Sequence, residues 1–178
     1  MSPTVFFDRD GTLIEQVDIL TLPSQVKLLP GVAEAIADLN RRGYLVIGIT
    51  NQPIIEKGLL SQEGLLEINT ELSRQLAESG AHLDSIYTCP HQYRTEGQCR
   101  CRKPGIGLIE QAQREFSIEM PKSWMVGDRL RDVETGKRAG LKTILVSTGG
   151  PSKDDEFFPD TKADFVASGL HAVGTLIS

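Results

Sequence analysis

The chain has 178 residues, of which 39% are hydrophobic and 24% charged, and its formal net charge is -5. This composition excludes a disordered chain, and the length suits one domain, which we expect to span residues 1–178. No apolar stretch is long enough to cross a bilayer and no basic leader precedes one, so we expect a soluble, cytoplasmic protein. An excess of acidic over basic side chains, 24 to 19, argues against nucleic acid or an anionic membrane as a partner.

Short apolar runs alternate with stretches of helical periodicity along the whole chain. The runs predict strands at residues 4–7, 44–49, 85–88, 124–126, 143–146 and 164–167. The periodic stretches predict helices between Gly31 and Gly43, between an N-cap at Ser61 and Gly80, and at residues 108–116, 133–139 and 170–176. This alternation predicts an α/β fold, with a Rossmann-like open parallel sheet and helices on both faces. Residues 149–162 are predicted to form a surface loop.

Polar residues follow three of the predicted strands directly. The first strand is followed by Asp8-Arg9-Asp10-Gly11-Thr12, the second by Thr50-Asn51-Gln52 and the fourth by Gly127-Asp128-Arg129. Open parallel sheets bind their ligands at the carboxyl ends of the strands, so these residues are the first candidates for a site. Arg102-Lys103-Pro104 precedes the third helix and is expected at the same edge.

Asp8 and Asp10 alone are compatible with several structures. Two carboxylates before a glycine suit a nucleophile with an acid and base, a metal pair, or a solvated turn. Asp128 changes the balance, because with Asp8 it supplies the oxygen ligands that Mg²⁺ prefers beside a substrate phosphate. Lys103 and Thr50 add a cation and a donor for phosphoryl oxygens. Together these residues favour a phosphotransfer site.

All three cysteines lie within thirteen residues, and one histidine lies among them. Cys89, His91, Cys99 and Cys101 supply a complete tetrahedral set of ligands for Zn²⁺, which predicts a structural metal and a zinc-binding loop. The alternative is a loop with buried cysteines and no metal. An odd number of cysteines is a poor basis for a disulfide framework and fits a reducing compartment.

Taken in order, Asp8-x-Asp10-Gly11-Thr12, Thr50, Lys103 and Gly127-Asp128-x-x-x-Asp132 resemble the four motifs of the haloacid dehalogenase superfamily of phosphohydrolases. The resemblance covers nearly the whole chain. It implies that Asp8 attacks phosphorus to form an aspartyl phosphate, and that Asp10 acts as general acid and then as general base. It also implies that Thr50 and Lys103 stabilise the transferring group.

The same resemblance implies a Mg²⁺ ion held by the side chains of Asp8 and Asp128 and by the carbonyl oxygen of Asp10. Asp132 either binds the water shell of that metal or caps the fourth helix. A free aspartate is ionised at neutral pH, so we expect a second carboxylate beside Asp10 that keeps a proton on it. No large insertion separates the motifs, and we therefore expect no cap domain.

The spacing Cys-x-His, then Cys-x-Cys, then Arg102-Lys103-Pro104 resembles one branch of the superfamily. This branch contains the D-glycero-D-manno-heptose 1,7-bisphosphate 7-phosphatases and the histidinol-phosphate phosphatases, which carry a zinc loop and Mg²⁺. The resemblance assigns Arg102 to substrate recognition, and Asn51, Gln52 and Arg129 are further candidates for substrate binding. Residues 16–19 and 53–57 depart from the heptose pattern.

The expected substrate is a small phosphorylated sugar, heptose 1,7-bisphosphate, which would lose its 7-phosphate. The β anomer is expected from the more common route of lipopolysaccharide synthesis. A histidinol-phosphate phosphatase is the alternative within the branch, and the acidic balance disfavours a nucleic-acid 3′-phosphatase. A non-catalytic, zinc-stabilised binding module is the alternative of another class. We expect a monomer.

Overall fold

A computed structural model of the protein describes residues 1–150 and 152–177. Its strands form a single parallel sheet with the order β3-β2-β1-β4-β5-β6. They are β1 (Thr4–Phe7), β2 (Leu45–Asn51), β3 (Ser85–Cys89), β4 (Trp124–Gly127), β5 (Lys142–Val146) and β6 (Phe165–Ala167). The six predicted strands and the predicted fold class are therefore confirmed, with strand ends that differ by up to two residues.

Five α-helices connect or follow the strands. They are α1 (Val32–Arg41), α2 (Gln62–Ala77), α3 (Gly107–Glu115), α4 (Leu130–Arg138) and α5 (Leu170–Leu176). Ser61 is the N-cap of α2, and its hydroxyl accepts a hydrogen bond of 3.0 Å from the amide of Gly64. Among the described residues, no helix combines the length and the apolar composition needed to span a membrane.

Apolar side chains cover both faces of the sheet. On one face, Val5, Phe7 and Trp124 lie in a buried cluster with apolar residues of α1, α2 and α5. On the other face, Phe6 and Met125 lie in a second cluster with residues of α3. This division follows from the geometry of a strand, in which successive side chains point to opposite faces. Strands buried on both sides read as continuous apolar runs, which is how β1 appears in the sequence.

The order of the strands reverses at β1. The chain builds β2 and β3 on one side of β1 and then crosses to β4, β5 and β6 on the other. β1 and β4 are hydrogen-bonded neighbours, so Asp8 and Asp128, which follow them, leave the sheet side by side at its carboxyl edge. Doubly wound sheets bind ligands at such a reversal.

Two connections between the elements bear on the predictions. Within the described residues, the segment between β1 and α1 holds only one 3₁₀ turn (Pro23–Gln25), which agrees with the expected lack of a cap domain. In the predicted loop, the described residues 152–162 form more than a connector, because they contain a 3₁₀ turn (Lys153–Phe157) that contacts α4. There, the amide of Leu130 donates a hydrogen bond of 3.0 Å to Asp155 Oδ1.

Candidate active site

The buried ammonium group of Lys103 joins the strand ends. Its Nζ atom lies 2.5 Å from Asp8 Oδ1 and 2.7 Å from Asp132 Oδ1, and it donates a hydrogen bond of 3.0 Å to the carbonyl of Ile49. Burial alone would lower the pKa of Lys103, but the charges of Asp132 and Asp8 raise the pKa above its ordinary value. The sequence predicted that Lys103 and Asp8 share a site, and the structure places them in contact.

Asn51 fixes the backbone of Lys103. Asn51 Oδ1 accepts a hydrogen bond of 3.0 Å from the amide of Lys103, and Asn51 Nδ2 donates one of 3.2 Å to the carbonyl of the same residue. Both ends of the Asn51 side chain are therefore used inside the protein. This geometry gives Asn51 a positioning role that differs from the substrate contact expected from the sequence.

Three carboxylates converge next to Lys103. Asp8, Asp128 and Asp132 are all buried, and one carboxylate oxygen from each lies within 4.8 Å of those of the other two. The hydroxyl of Thr12 donates a hydrogen bond of 3.1 Å to Asp128 Oδ1. Gly11 makes the close approach here, because its φ is +83° and a Cβ atom on it would lie 2.6 Å from Asp128 Oδ2.

The electrostatics of this cluster favour a cation. Burial, together with the charges of Asp8 and Asp132, raises the pKa of Asp128 to about 7. Asp128 Oδ2 is buried and accepts no hydrogen bond from the described residues, although Arg129 Nε lies 3.0 Å away as an ion-pair partner. A set of carboxylate oxygens suits a hard cation such as Mg²⁺ in both charge and ligand type. The residues present therefore fit the metal that the sequence predicted.

Donors surround Asp10. Arg9 Nε and Gln52 Nε2 donate hydrogen bonds of 3.1 Å and 2.7 Å to Asp10 Oδ2, and the hydroxyl of Thr50 lies 3.3 Å from the same oxygen. Arg9 is fully buried and is also held by Asn69 of α2, with 3.0 Å between Arg9 Nη1 and Asn69 Oδ1. Asp10 lines the same cleft as Asp8, and the hydrogen bonds to its side chain within the described chain come from Arg9, Thr50 and Gln52.

Arg129 and Asp132 act together at the start of α4. Asp132 Oδ2 accepts a hydrogen bond of 3.1 Å from the amide of Arg129, which caps the helix and explains why α4 begins three residues before the predicted start. The Arg129 side chain donates to the carbonyls of Gly149 and Gly150 and pairs with Asp128. This internal use of the guanidinium group differs from the substrate contact expected for Arg129.

The three cysteines and His91 form one cluster. Sγ of Cys89 lies 3.6 Å from Sγ of Cys99 and 2.9 Å from Sγ of Cys101, while His91 Nδ1 lies 3.3 Å from Sγ of Cys101. The sulfur distances exceed a disulfide bond of about 2.05 Å, and all three cysteines are free. Ligands at tetrahedral Zn²⁺ are separated by roughly 3.5–3.8 Å, given Zn–S bonds of about 2.3 Å. The distance from Cys89 to Cys99 lies in this range and Cys101 stands closer to its neighbours, so the four ligand atoms are gathered as a zinc ion requires, all within 4.8 Å of one another.

The cluster of the three cysteines and His91 is connected to the edge of the sheet. Cys89 ends β3, which pairs with β2 so that Cys89 lies opposite Asn51. Arg102, which follows Cys101, donates a hydrogen bond of 3.0 Å from Nη1 to the carbonyl of His91. The loop from Cys89 to Arg102 is thus held at both of its ends, directly before Lys103.

Two cavities open beside these residues. A cleft of about 180 Å³ is lined by Asp8, Asp10, Thr50 and Gln52, together with residues 16–18. A larger pocket of about 600 Å³ shares Arg131 with this cleft, and its lining also includes Arg102, Lys103, Arg138 and Phe157. The sequence analysis missed these last three residues. Their signal was weak, although Arg131 stands in the first turn of a helix that follows a site strand.

Comparisons with known proteins agree with this geometry. A family model described as HAD-hydrolase-like matches residues 100–173. The D-glycero-beta-D-manno-heptose-1,7-bisphosphate 7-phosphatase of Pasteurella multocida is 38% identical over 160 residues, which are 87% of this chain and 87% of the relative. The enzyme of the same name from Vibrio cholerae is 38% identical, over 84% of this chain and 83% of the relative.

Solved structures give the same match. The D,D-heptose 1,7-bisphosphate phosphatase of B. bronchiseptica, complexed with magnesium and phosphate, superposes with a TM-score of 0.85 and 30% identity. That alignment covers 98% of this chain and 97% of the other. The phosphatase of the same type from Burkholderia thailandensis superposes with a TM-score of 0.72 and 27% identity, over 98% and 97% of the two chains.

The raised pKa of Asp128 predicts a pH dependence of stability. The folded pKa of about 7 exceeds the ordinary value of 3.8, so folding takes up a proton between these values. The free energy of unfolding of the metal-free protein therefore falls as the pH rises through this window, by at most about 1.4 kcal/mol per pH unit. Asp128→Asn should remove this component, which urea unfolding in a chelator at pH 5 and pH 8 will measure.

Asp160→Asn, a change of the same type at an exposed position, is the control and should retain the wild-type pH dependence. Addition of Mg²⁺ at pH 8 should raise the unfolding midpoint of the wild type but not that of Asp128→Asn. An unaltered pH dependence in Asp128→Asn would contradict this account of the cluster.

Proposed function

Because the chain belongs to the haloacid dehalogenase-like phosphatases of the D-glycero-D-manno-heptose 1,7-bisphosphate 7-phosphatase family, we propose that it removes the 7-phosphate of this sugar bisphosphate. The relatives are named for the β anomer, which we propose as the substrate. The observation that carries the proposal is the buried contact between Asp8 and Lys103 at the point where the strand order reverses.

Hydrolysis proceeds in two displacements in this proposal. A carboxylate oxygen of Asp8 attacks phosphorus, the bond from phosphorus to the sugar oxygen breaks, and Asp10 gives that oxygen a proton. Water then attacks the aspartyl phosphate while Asp10 takes up a proton from it. Inorganic phosphate leaves, and both aspartates return to their starting states.

Thr50 and Lys103 stabilise the group in transfer. The Lys103 ammonium already lies against Asp8, so an oxygen of a phosphoryl group on Asp8 meets a positive charge that is in place before the reaction. Lys103 is also fixed by Asn51, so little reorganisation is needed. The relevant effects are positioning and charge stabilisation, which dominate in phosphoryl transfer.

Mg²⁺ belongs to this proposal, held by the side chains of Asp8 and Asp128 and by the carbonyl oxygen of Asp10. When bound, it offsets the negative charge that the phosphoryl group brings to the carboxylates. Asp10 lines the same cleft as Asp8, within reach of a phosphate ester bound there.

We propose that the Cys89, His91, Cys99 and Cys101 cluster binds a structural Zn²⁺. The cluster leaves no ligand position for a substrate, and its last member is two residues before Lys103. The role of the metal is then to fix the segment that carries Arg102 and Lys103. Arg102 lines the larger pocket and is the proposed substrate contact in this segment, and Gln52 lines the cleft over Asp8. The three free thiols support a reducing, cytoplasmic location, and we propose a monomer.

A panel of phosphate esters tests the proposed function. Wild type with Mg²⁺ should release phosphate from heptose 1,7-bisphosphate faster than from histidinol phosphate or other sugar phosphates. Asp8→Asn should lose at least roughly 10³-fold in kcat, because it lacks the nucleophile. Preference for histidinol phosphate would replace the proposed substrate and keep the proposed mechanism. If the wild type and Asp8→Asn were both inactive on every ester, the proposal that the protein is a phosphatase would be refuted.

Asn51→Ala tests the support of Lys103. The substitution removes two hydrogen bonds to the Lys103 backbone, so we expect kcat to fall roughly 10- to 100-fold with a smaller change in KM. Asn40→Ala is a matched control, because Asn40 makes the same pair of hydrogen bonds to the backbone of His82. Asn40 lies in α1, at the opposite end of the sheet, so its loss should leave kcat unchanged. Equal kinetics of the two variants would exclude the positioning role of Asn51.

Cys101→Ser tests the zinc site. The variant should lose bound zinc, measured by elemental analysis, and lose phosphatase activity with it, because the segment that carries Lys103 is no longer held. Glu96→Ser changes an exposed residue of the same loop and should keep both. Full activity in zinc-free Cys101→Ser would show that the metal does not support the site.

A further inference from the structure

The guanidinium group of Arg9 is completely buried and makes a two-pronged contact with the carboxylate of Asp10. Arg9 Nε donates a hydrogen bond of 3.1 Å to Asp10 Oδ2, and Arg9 Nη2 donates one of 3.3 Å to Asp10 Oδ1. Paired donors from one rigid fork fix the plane of a carboxylate as well as its distance. The orientation of the Asp10 side chain therefore depends on the orientation of Arg9.

Asn69 of α2 fixes Arg9 from the other side. Asn69 Oδ1 accepts a hydrogen bond of 3.0 Å from Arg9 Nη1, which is the guanidinium nitrogen that Asp10 leaves unused. Each of the three nitrogen atoms of Arg9 thus has a partner, and the plane of the group cannot turn without losing a hydrogen bond. A buried donor that loses its partner is costly, so Arg9 without Asn69 would turn to recover one.

The helix α2 is a rigid support for Asn69. Leu65, Ile68 and Leu72, which lie within about one turn of Asn69 along the helix, are buried in the apolar cluster on this face of the sheet. Asn69 itself is half-buried, and among the described residues that line the cleft of Asp8 and Asp10 none belongs to α2. Asn69 can therefore influence the reaction only through Arg9.

The two oxygen atoms of Asp10 have different surroundings. Asp10 Oδ2 receives hydrogen bonds from Arg9 Nε and Gln52 Nε2 and lies 3.3 Å from the hydroxyl of Thr50. Among the described residues, Arg9 Nη2 is the one donor to Asp10 Oδ1. Oδ1 is thus the oxygen with room to exchange a proton with a ligand in the cleft, and its position is set by Arg9.

We propose that Asn69 is a positioning residue for the acid and base Asp10, and that it acts through the buried guanidinium group of Arg9. This inference rests on the proposed function for the reaction and for the role of Asp10. Asp10 Oδ1 carries the proton that the departing sugar oxygen takes up. Proton transfer needs hydrogen-bond distance between the two oxygen atoms, so a small displacement of Oδ1 slows it.

Asn69→Ala tests the proposal with two phosphate esters that need the acid to different degrees. The quantity measured is kcat/KM, which includes the departure of the leaving group but not the later hydrolysis of the aspartyl phosphate. For heptose 1,7-bisphosphate, whose sugar oxygen needs a proton to leave, it should fall roughly 10- to 100-fold. For 4-nitrophenyl phosphate, whose phenolate leaves without a proton, it should change by less than about twofold.

Two further variants serve as rescue and control. Asn69→Asp keeps an acceptor oxygen for Arg9 Nη1 and should recover most of the lost rate. Thr70→Ala changes the next residue of α2, whose hydroxyl donates a hydrogen bond of 2.8 Å to the carbonyl of Leu66 in the same helix. This control should leave kcat/KM unchanged for both esters.

The outcomes separate this inference from the proposed function. An equal loss of kcat/KM for both esters in Asn69→Ala, as a general effect on folding would produce, overturns the positioning role, and so does no loss for either. With an active wild type, both of these results leave the proposed function intact. A wild type that releases phosphate from neither ester nor from the wider panel refutes the proposed function, and the positioning role falls with it. If the wild type prefers another alkyl phosphate, that ester replaces heptose bisphosphate in the same comparison.

Discussion

The ammonium group of Lys103 makes it possible for three carboxylates to be buried at one edge of the sheet. Asp8, Asp128 and Asp132 would repel one another in a region shielded from water, and burial together with this repulsion raises the pKa of Asp128. Lys103 offsets part of it by pairing with Asp8 and Asp132 at the same time. Charges buried in this way are stable only when they are paired, so the position of one side chain decides whether the site can form.

Much of the surrounding structure holds that side chain. Asn51 binds the Lys103 backbone from β2, and the Cys89 to Cys101 cluster fixes the segment before it. Glu56 ties this loop to the residues after β2, because it accepts hydrogen bonds from the amide of Gln92 and from Arg94. Glu56 belongs to residues 53–57, one of the two places where the sequence departs from the heptose pattern. Glu56, a residue that departs from the heptose pattern, therefore contacts the loop that carries the proposed zinc ligands.

The charges are arranged in two zones. Reactive groups stand on strand ends, where parallel pairing and packing on both faces fix them, and this rigidity suits a reaction that depends on preorganised charge. Arginines line the larger pocket, Arg131 and Arg138 on α4 and Arg94 and Arg102 in the loop after β3. A protein of net charge -5 thereby gathers several of its cations at the pocket where an anionic substrate would enter.

The sequence by itself determined the strands, their parallel arrangement and the identity of the residues at the sheet edge. These follow from local rules: buried strands need continuous apolar runs, and the polar residues after them must lie at the carboxyl edge. It also indicated the Cys and His set, because four ligand side chains within thirteen residues need only one loop to bring them together. Which polar side chains face substrate and which face the protein was decided only by the tertiary structure.

Asn51 and Arg129 stand beside the site in sequence, yet their donors and acceptors are used by Lys103, Asp128 and the backbone of the loop after β5. Arg138 is one of many charged helix residues in sequence, and it becomes part of a pocket because residues 153–158 fold back opposite it. Hydrogen bonds are short and directional, so the choice between internal and external partners depends on distances that no local pattern encodes.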